Sequence, residues 1–254
     1  MKTAISIIFF IYMSLNTLST TNYTLKTELQ DVPPKFYSLP NGQISGISFD
    51  IMQLIEKSSK YRFNYEKKLI PISRIIVNLE KNNTQIQFGL QKTPEREKSL
   101  IYGEELYKIK IVGLVRNNST YNIKNISDLK KYRNEITILT QYGTAVDTAL
   151  KKISGLNIDS GSKSLENSME KLLLGRGNII IYHDLSINFL MKNPKYKDKF
   201  KIINIDFEGN NELTEVAQYV VFSKEVPIKV RNEINEAIKK IKKDNKIDMI
   251  LKKY

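Results

Sequence analysis

Apolar residues recur along the chain with two different periods. Two-residue alternation at Ile86 and Phe88 and at Ile109 and Ile111, together with the unbroken block Ile179, Ile180 and Ile181, predicts strands. Helical spacing places Ile72, Ile75, Ile76 and Leu79 on one face, and Leu165, Met169, Leu172 and Leu173 on another, with Gly175 positioned to close the second helix. Read in order, the chain gives a strand over 25–30, turns at Pro33 with Pro34 and at Asn41 with Gly42, a helix from about Phe49, a strand near Phe63, a helix from about Ser73 and a strand at Ile86. After the polar stretch 117–119, read as a linker, come a helix start at Ser127, a strand over 135–140, helices over 144–153 and 165–174, and a strand over 178–182. The apolar stretch 216–222 leads into a last helix with Val230, Ile234, Ala237, Ile238 and Ile241 on one face. Strands alternating with helices predict an α/β fold with largely parallel strands, in two lobes of similar design.

Composition narrows this only at the N-terminus and in the charge. The chain has 254 residues, of which 41% are hydrophobic and 26% charged, an ordinary globular balance. Residues 4–15 form an apolar run of about 12 residues, too short for a bilayer that needs roughly 20. Thr17 and Ser19 supply the small residues of a cleavage site, so 1–19 is read as a removable export leader, with an uncleaved anchor as the other reading. The chain has no cysteine, which leaves no lipid-modified cysteine, disulfide or thiolate metal site, and it has one histidine. An exported periplasmic protein without a lipid anchor, cofactor or metal is expected. The formal charge is +13, one less once Lys2 leaves with the leader, and the basic residues are spread rather than striped with aromatics. That pattern speaks against nucleic acid and is compatible with steering of anionic solutes. The lysine-rich stretch 239–243 lies on a helix with an apolar opposite face and is read as a solvated face.

Candidate chemistry gathers in the stretch 88–98, FGLQKTPEREK. Thr93 is suited to cap a helix that Pro94 begins, and Gly89 lets a ligand approach the backbone closely. Arg96, in the first turn, adds a planar fork matched to a carboxylate. Two partners are open to it: an anion held at the helix start, or a neighbouring acid, Glu95 or Glu97. A second element of this type follows the strand ending near Leu139, where Gly143 sits in a turn and Thr144 caps the next helix. If the lobes face each other, the two tips converge on one cleft that suits a small anion.

The segments 33–37 and 41–50, then Gly89 to Arg96, Ile126-Ser-Asp-Leu-Lys130, Tyr142-Gly-Thr144 and the ending Ile250-Leu-Lys-Lys-Tyr254 occur in an order that resembles the bacterial extracellular solute-binding proteins of family 3, the amino-acid-type periplasmic receptors of ABC importers. The resemblance implies a two-lobed periplasmic binding protein (Venus flytrap) fold of type II, with two hinge crossings near 115–117 and 214–219. Lobe 1 would comprise 20–115 and the returning segment 215–254, and lobe 2 would comprise 116–214. It also implies a monomer that captures a small anionic or zwitterionic solute for an ABC transporter permease. Carried over, Arg96 would hold the ligand carboxylate with Gly89, Gln91 and Thr93 around it, and Gly143 and Thr144 would contribute from lobe 2. Ile72 would stand where relatives often have an aromatic wall, and the segment from Asp31 to Tyr37 would line the opposite side.

Two departures bear on the ligand. Gln91, followed by Lys92, replaces a hydroxyl residue. At the position of the family's ammonium-binding aspartate stands His183, with Asp184 one residue later; a one-residue shift turns a strand side chain to the other face unless a bulge intervenes. His183, Lys92 and Arg96 would together favour an acid with little positive charge. Two other functions stay open: a dehydratase-like enzyme using His183 with Asp184, Glu28 or Asp31, and a sensing or interaction module that has lost transport.

Overall fold

The computed structural model describes residues 23–254; the expected leader over 1–19 lies outside them. The first strands are short: β1 (Tyr23–Lys26), β2 (Leu29–Gln30) and the hairpin strands β3 (Tyr37–Ser38) and β4 (Ile44–Ser45). α1 (Ile47–Ser58) follows, then β5 (Tyr61–Asn64) and β6 (Leu69–Ile70), which pair in parallel with β1 and β2. α2 (Ile72–Glu80) leads into β7 (Ile86–Gln91), the single turn α3 (Pro94–Glu97) and the long β8 (Leu100–Arg116). The expected strand over 25–30 is therefore two strands, because Thr27 breaks away to bridge Ile86.

The next stretch contains α4 (Ile126–Lys131), β9 (Ile138–Gln141), α5 (Ala145–Lys151), β10 (Ile158–Ser162), α6 (Leu165–Leu173), β11 (Ile179–His183), α7 (Asp184–Met191) and β12 (Phe200–Ile203). β13 (Glu215–Ser223), α8 (Ile228–Lys243) and α9 (Lys246–Leu251) complete the chain. The largest sheet runs β10-β9-β11-β8-β13-β7, with β12 also on β8. The expectation of largely parallel strands needs correction. β9 is parallel to β10 and β11, but β8 is antiparallel to β11, β12 and β13, and β13 is antiparallel to β7. Long strands that carry the chain from one half to the other and back necessarily run in opposite directions.

β8 changes partners midway. Leu100 to Lys110 pair with β13, whereas Ile111 to Arg116 pair with β11 and β12. At the changeover the Ile111 amide donates to the Thr214 carbonyl at 2.9 Å, just before β13 begins. One apolar cluster extends from Leu25 and Phe88 through Ile111 to Ile138, so the core is continuous past this point. α8 shows how the surface is made: Val230, Ile234, Ile238 and Ile241 are buried, each worth about 1.5–3 kcal/mol, while Lys239 faces outward to Glu236. No described helix is long and apolar enough to cross a membrane.

Candidate functional site

β7 is buried along its whole length and delivers its last residues to the middle of the molecule. Gly89 has φ +79°, and a Cβ there would meet Ser48 Oγ at 2.6 Å and the Tyr107 hydroxyl at 2.9 Å, so glycine is required. Thr93 Oγ1 accepts from the Arg96 amide at 3.3 Å, which is the expected cap. The helix it caps lasts only four residues, so little dipole accumulates there, and the attraction for an anion falls on Arg96 itself.

Arg96 folds inward and is buried. Its Nη1 donates to the Gln91 carbonyl at 2.9 Å and its Nη2 to the Gly143 carbonyl at 3.1 Å. Neither flanking acid reaches it: Glu95 pairs with Lys152 at 2.9 Å and Glu97 with Lys92 at 2.7 Å. The guanidinium thus has carbonyl partners and no carboxylate. The second tip arrives from β9. Gly143 has φ +79°, and Thr144 caps α5, accepting from the Asp147 amide at 3.1 Å and donating to the Gln141 carbonyl at 2.9 Å. The Arg96 bond to the Gly143 carbonyl joins the tips directly, and a Cβ on Gly143 would meet Ser73 Cβ of α2 at 2.9 Å, so the cleft is closed.

The contact leaves a cavity of about 20 Å³. Ile72, Leu90 and Ala145 form its apolar side, and Arg96, Gln91, Thr144 and His183 reach it with polar groups. Five sequence-predicted residues, Arg96, Gln91, Thr144, Ile72 and His183, therefore line one space, while Gly89, Thr93 and Gly143 shape its walls. Asp31 is elsewhere, exposed at an adjoining cavity of about 90 Å³ with Glu166 and Ser186; Tyr182 is the wall between the two. Asp184 starts α7 and accepts from the Lys110 amide at 3.1 Å, outside the Arg96 cavity. The β11–β8 register runs without a shift through His183, so no bulge brings Asp184 round. Lys92 points to solvent beside Glu97.

The cation that does enter the cavity is Lys35, which lies in the segment 31–37 expected along this side but was not singled out within it. It lies in the turn after Pro34, is 5% exposed, and donates from Nζ to the Gly89 carbonyl at 2.9 Å and to Gln218 Oε1 at 2.5 Å. Burial, and secondarily the Arg96 charge, lower its pKa from 10.5 to about 7. His183 is also buried, stacks on Tyr182 with centroids 4.3 Å apart, and leaves Nδ1 without a partner. Burial, Lys35 and Arg96 together hold its pKa well below 6.5, so it is neutral throughout the physiological range.

The lysine has a consequence for stability. Between pH 7 and 9 the unfolded chain keeps Lys35 protonated while the folded chain releases the proton, so the unfolded state binds more protons and stability rises with pH. The charged groups acting on Lys35 are Arg96, which keeps its charge, and His183, already neutral in this window. Above about pH 10 the buried tyrosines Tyr107 and Tyr182, whose pKa values burial raises, reverse the trend. Urea titrations of the ligand-free protein should give a midpoint that climbs from pH 7 to 9, and Lys35→Met should flatten the climb. An equal slope in both proteins would show that Lys35 is charged in the fold.

As for catalysis, Glu28 accepts from Asn78 at 2.7 Å in a different cavity, and none of Glu28, Asp31 and Asp184 hydrogen-bonds His183. Among the described residues no group of three or more histidines and acids could hold a metal ion.

Comparison with known proteins completes the description. The chain is similar to a substrate binding protein of an amino acid ABC transporter, with 24% identity, TM-score 0.75, and coverage of 91% of this chain and 98% of that one. An ancestral arginine-binding protein bound to arginine matches at 20% identity and TM-score 0.78, over 92% and 99%. The GluR0 ligand-binding core from Nostoc punctiforme, in complex with L-glutamate, matches at 20% identity and TM-score 0.72, over 91% and 98%. These likenesses establish the binding-protein fold. The family model for bacterial extracellular solute-binding proteins, family 3, matches residues 24–254, and the chain belongs to that family.

Proposed function

We propose that the protein reversibly captures a small carboxylate-bearing solute in the cavity between the two tips. The observation that carries this reading is Arg96: a buried, permanently charged fork, facing a cavity, with no carboxylate partner. Leaving such a charge uncompensated costs several kcal/mol, of order 3–5 when a buried pair is broken, and a ligand carboxylate offsets that cost. The moving units in this reading are 23–110 with 215–254, and 111–214, since β8 exchanges partners at Lys110 and Ile111 and β13 begins at Glu215. Opening about these two strands admits the solute, and closure hides it from water and creates a shape that a membrane partner can distinguish. A monomer in the periplasm, supplying an ABC importer and performing no turnover, fits this mode of work.

The test is mass spectrometry of small molecules released on denaturing the purified protein, followed by adding the identified acid back. Recovery of a carboxylic acid that raises the melting temperature of the emptied protein, and is returned unchanged, is the expected result. A protein that releases no acid and whose melting temperature is unmoved by any in a broad panel does not capture carboxylates.

A further inference from the structure

The cavity is basic, and every charge in its lining comes from a cation. Lys35, Arg96 and His183 border it together with amides and apolar side chains, and no aspartate or glutamate does. Lys35 is not a surface lysine that happens to bend inward. Its backbone is clamped to the start of α1, where the Ile47 amide donates to the Pro34 carbonyl at 2.8 Å and the Ser48 amide to the Lys35 carbonyl at 3.1 Å. From that base the ammonium reaches the Gly89 carbonyl and Gln218 Oε1, oxygens that would otherwise be free to accept from an ammonium group of the solute. The chain's own amine stands in that place.

We propose that Lys35 substitutes for a ligand amine, so that the site takes a short dicarboxylate without an α-ammonium group, one carboxylate on Arg96 and the other on Lys35. This rests on the capture reading above and adds the class of acid. One fixed cation, Arg96, and one amine that becomes a second cation as it takes up a proton call for two negative charges, and a small cavity keeps the acid short. A third positive charge, on an α-ammonium, would enter a space already occupied by two. Of the remaining unpartnered groups, Gln30 Oε1 and Gln91 Oε1 are neutral acceptors that suit the O–H of a hydroxyl substituent, and His183 Nδ1 is neutral. Because Lys35 has a lowered pKa when the cleft is empty, a dicarboxylate draws a proton onto it as it binds.

The four-carbon acids succinate, L-malate and L-aspartate differ only in bearing H, OH or NH₃⁺ at one carbon; glutarate and L-glutamate repeat the comparison with five carbons. Calorimetry on emptied protein should show succinate, malate or glutarate binding at least 10-fold more tightly than its amino counterpart, and than butyrate. At pH 8, in two buffers of different ionisation heat, binding should take up about one proton. Lys35→Met should abolish the proton uptake and weaken the dicarboxylate at least 10-fold, and Lys35→Gln, which keeps a donor to Gly89, should do the same if charge is what matters. Preference for the amino acid, failure of all the dicarboxylates, or unchanged proton uptake in Lys35→Met would each overturn the proposal. If the acid released from the purified protein is an amino acid, only this proposal falls; if no acid is released and none binds, capture falls with it.

Discussion

Replacing Arg96 by alanine should weaken binding of the captured acid by at least about 30-fold while leaving the melting temperature of the empty protein nearly unchanged. Truncating one partner of a buried, hydrogen-bonded charge pair costs about 2–5 kcal/mol, and each 1.4 kcal/mol is about tenfold in affinity. The empty protein behaves differently because Arg96 has no acid to lose: its carbonyl partners Gln91 and Gly143 and its contact with the Tyr102 hydroxyl are forfeited, and a buried cation goes with them. Arg96→Lys should fall between, since a single ammonium cannot match both oxygens of a carboxylate. Equilibrium dialysis with the acid recovered from the wild-type protein, alongside thermal melts without it, measures both quantities. If Arg96→Ala binds that acid as the wild type does, the anion is held elsewhere. If instead the empty variant melts far below the wild type, Arg96 is a structural strut between the tips.

The parts of this site that were legible in the sequence are those governed by local rules. Thr93 and Thr144 cap their helices as their positions after a strand predict, and Arg96 follows the first cap by three residues, which fixes its place in the turn. The two tips could be recognised singly; that they touch depends on where β8 and β13 cross, and pairing partners of long antiparallel strands are not written in a two-residue period. Period also misled on direction: Ile109 and Ile111 alternate in the same way whether the neighbour is parallel or antiparallel. The length of α3 was hidden because Glu95 and Glu97 are helix-compatible, and what ends the helix is the need for β8 to begin at Leu100. That Lys35 is the residue of the segment 31–37 that enters the cavity was illegible for another reason. Flanked by Pro34 and buried Phe36, it reads as a polar turn residue, and only tertiary packing turns it inward. A lysine with apolar neighbours on both sides, before a glycine-led helix, is the signal that could have drawn attention to it.

That glycine leads to the prediction with the largest effect on stability. Gly46→Ala should destabilise the protein by about 2–6 kcal/mol, combining strained backbone at about 1–3 kcal/mol with forced overpacking of similar size. Gly46 has φ +138°, a region open in practice to glycine alone, and an added Cβ would lie 2.2 Å from the Lys35 carbonyl oxygen and 2.7 Å from that of Pro34. Both atoms are backbone, so no rotamer change relieves the contact. They are also the acceptors for the Ile47 and Ser48 amides, so a loop pushed away to make room uncaps α1, which has no side-chain cap to replace them. For a domain of this size the melting temperature should fall by roughly 4–24 °C. Gly42→Ala is the matched control: its φ is +77° but nothing lies within 4 Å of the new Cβ, so only the strain of about 1 kcal/mol remains. Thermal and urea melts of the two variants separate the contributions. Because the displaced loop carries Lys35, Gly46→Ala should also lose discrimination between acids at temperatures where it is still folded, and Gly42→Ala should keep it. Equal melting temperatures for the two variants would mean that residues 34 and 35 are not packed on the start of α1, and Lys35 would then have no fixed base from which to reach Gly89.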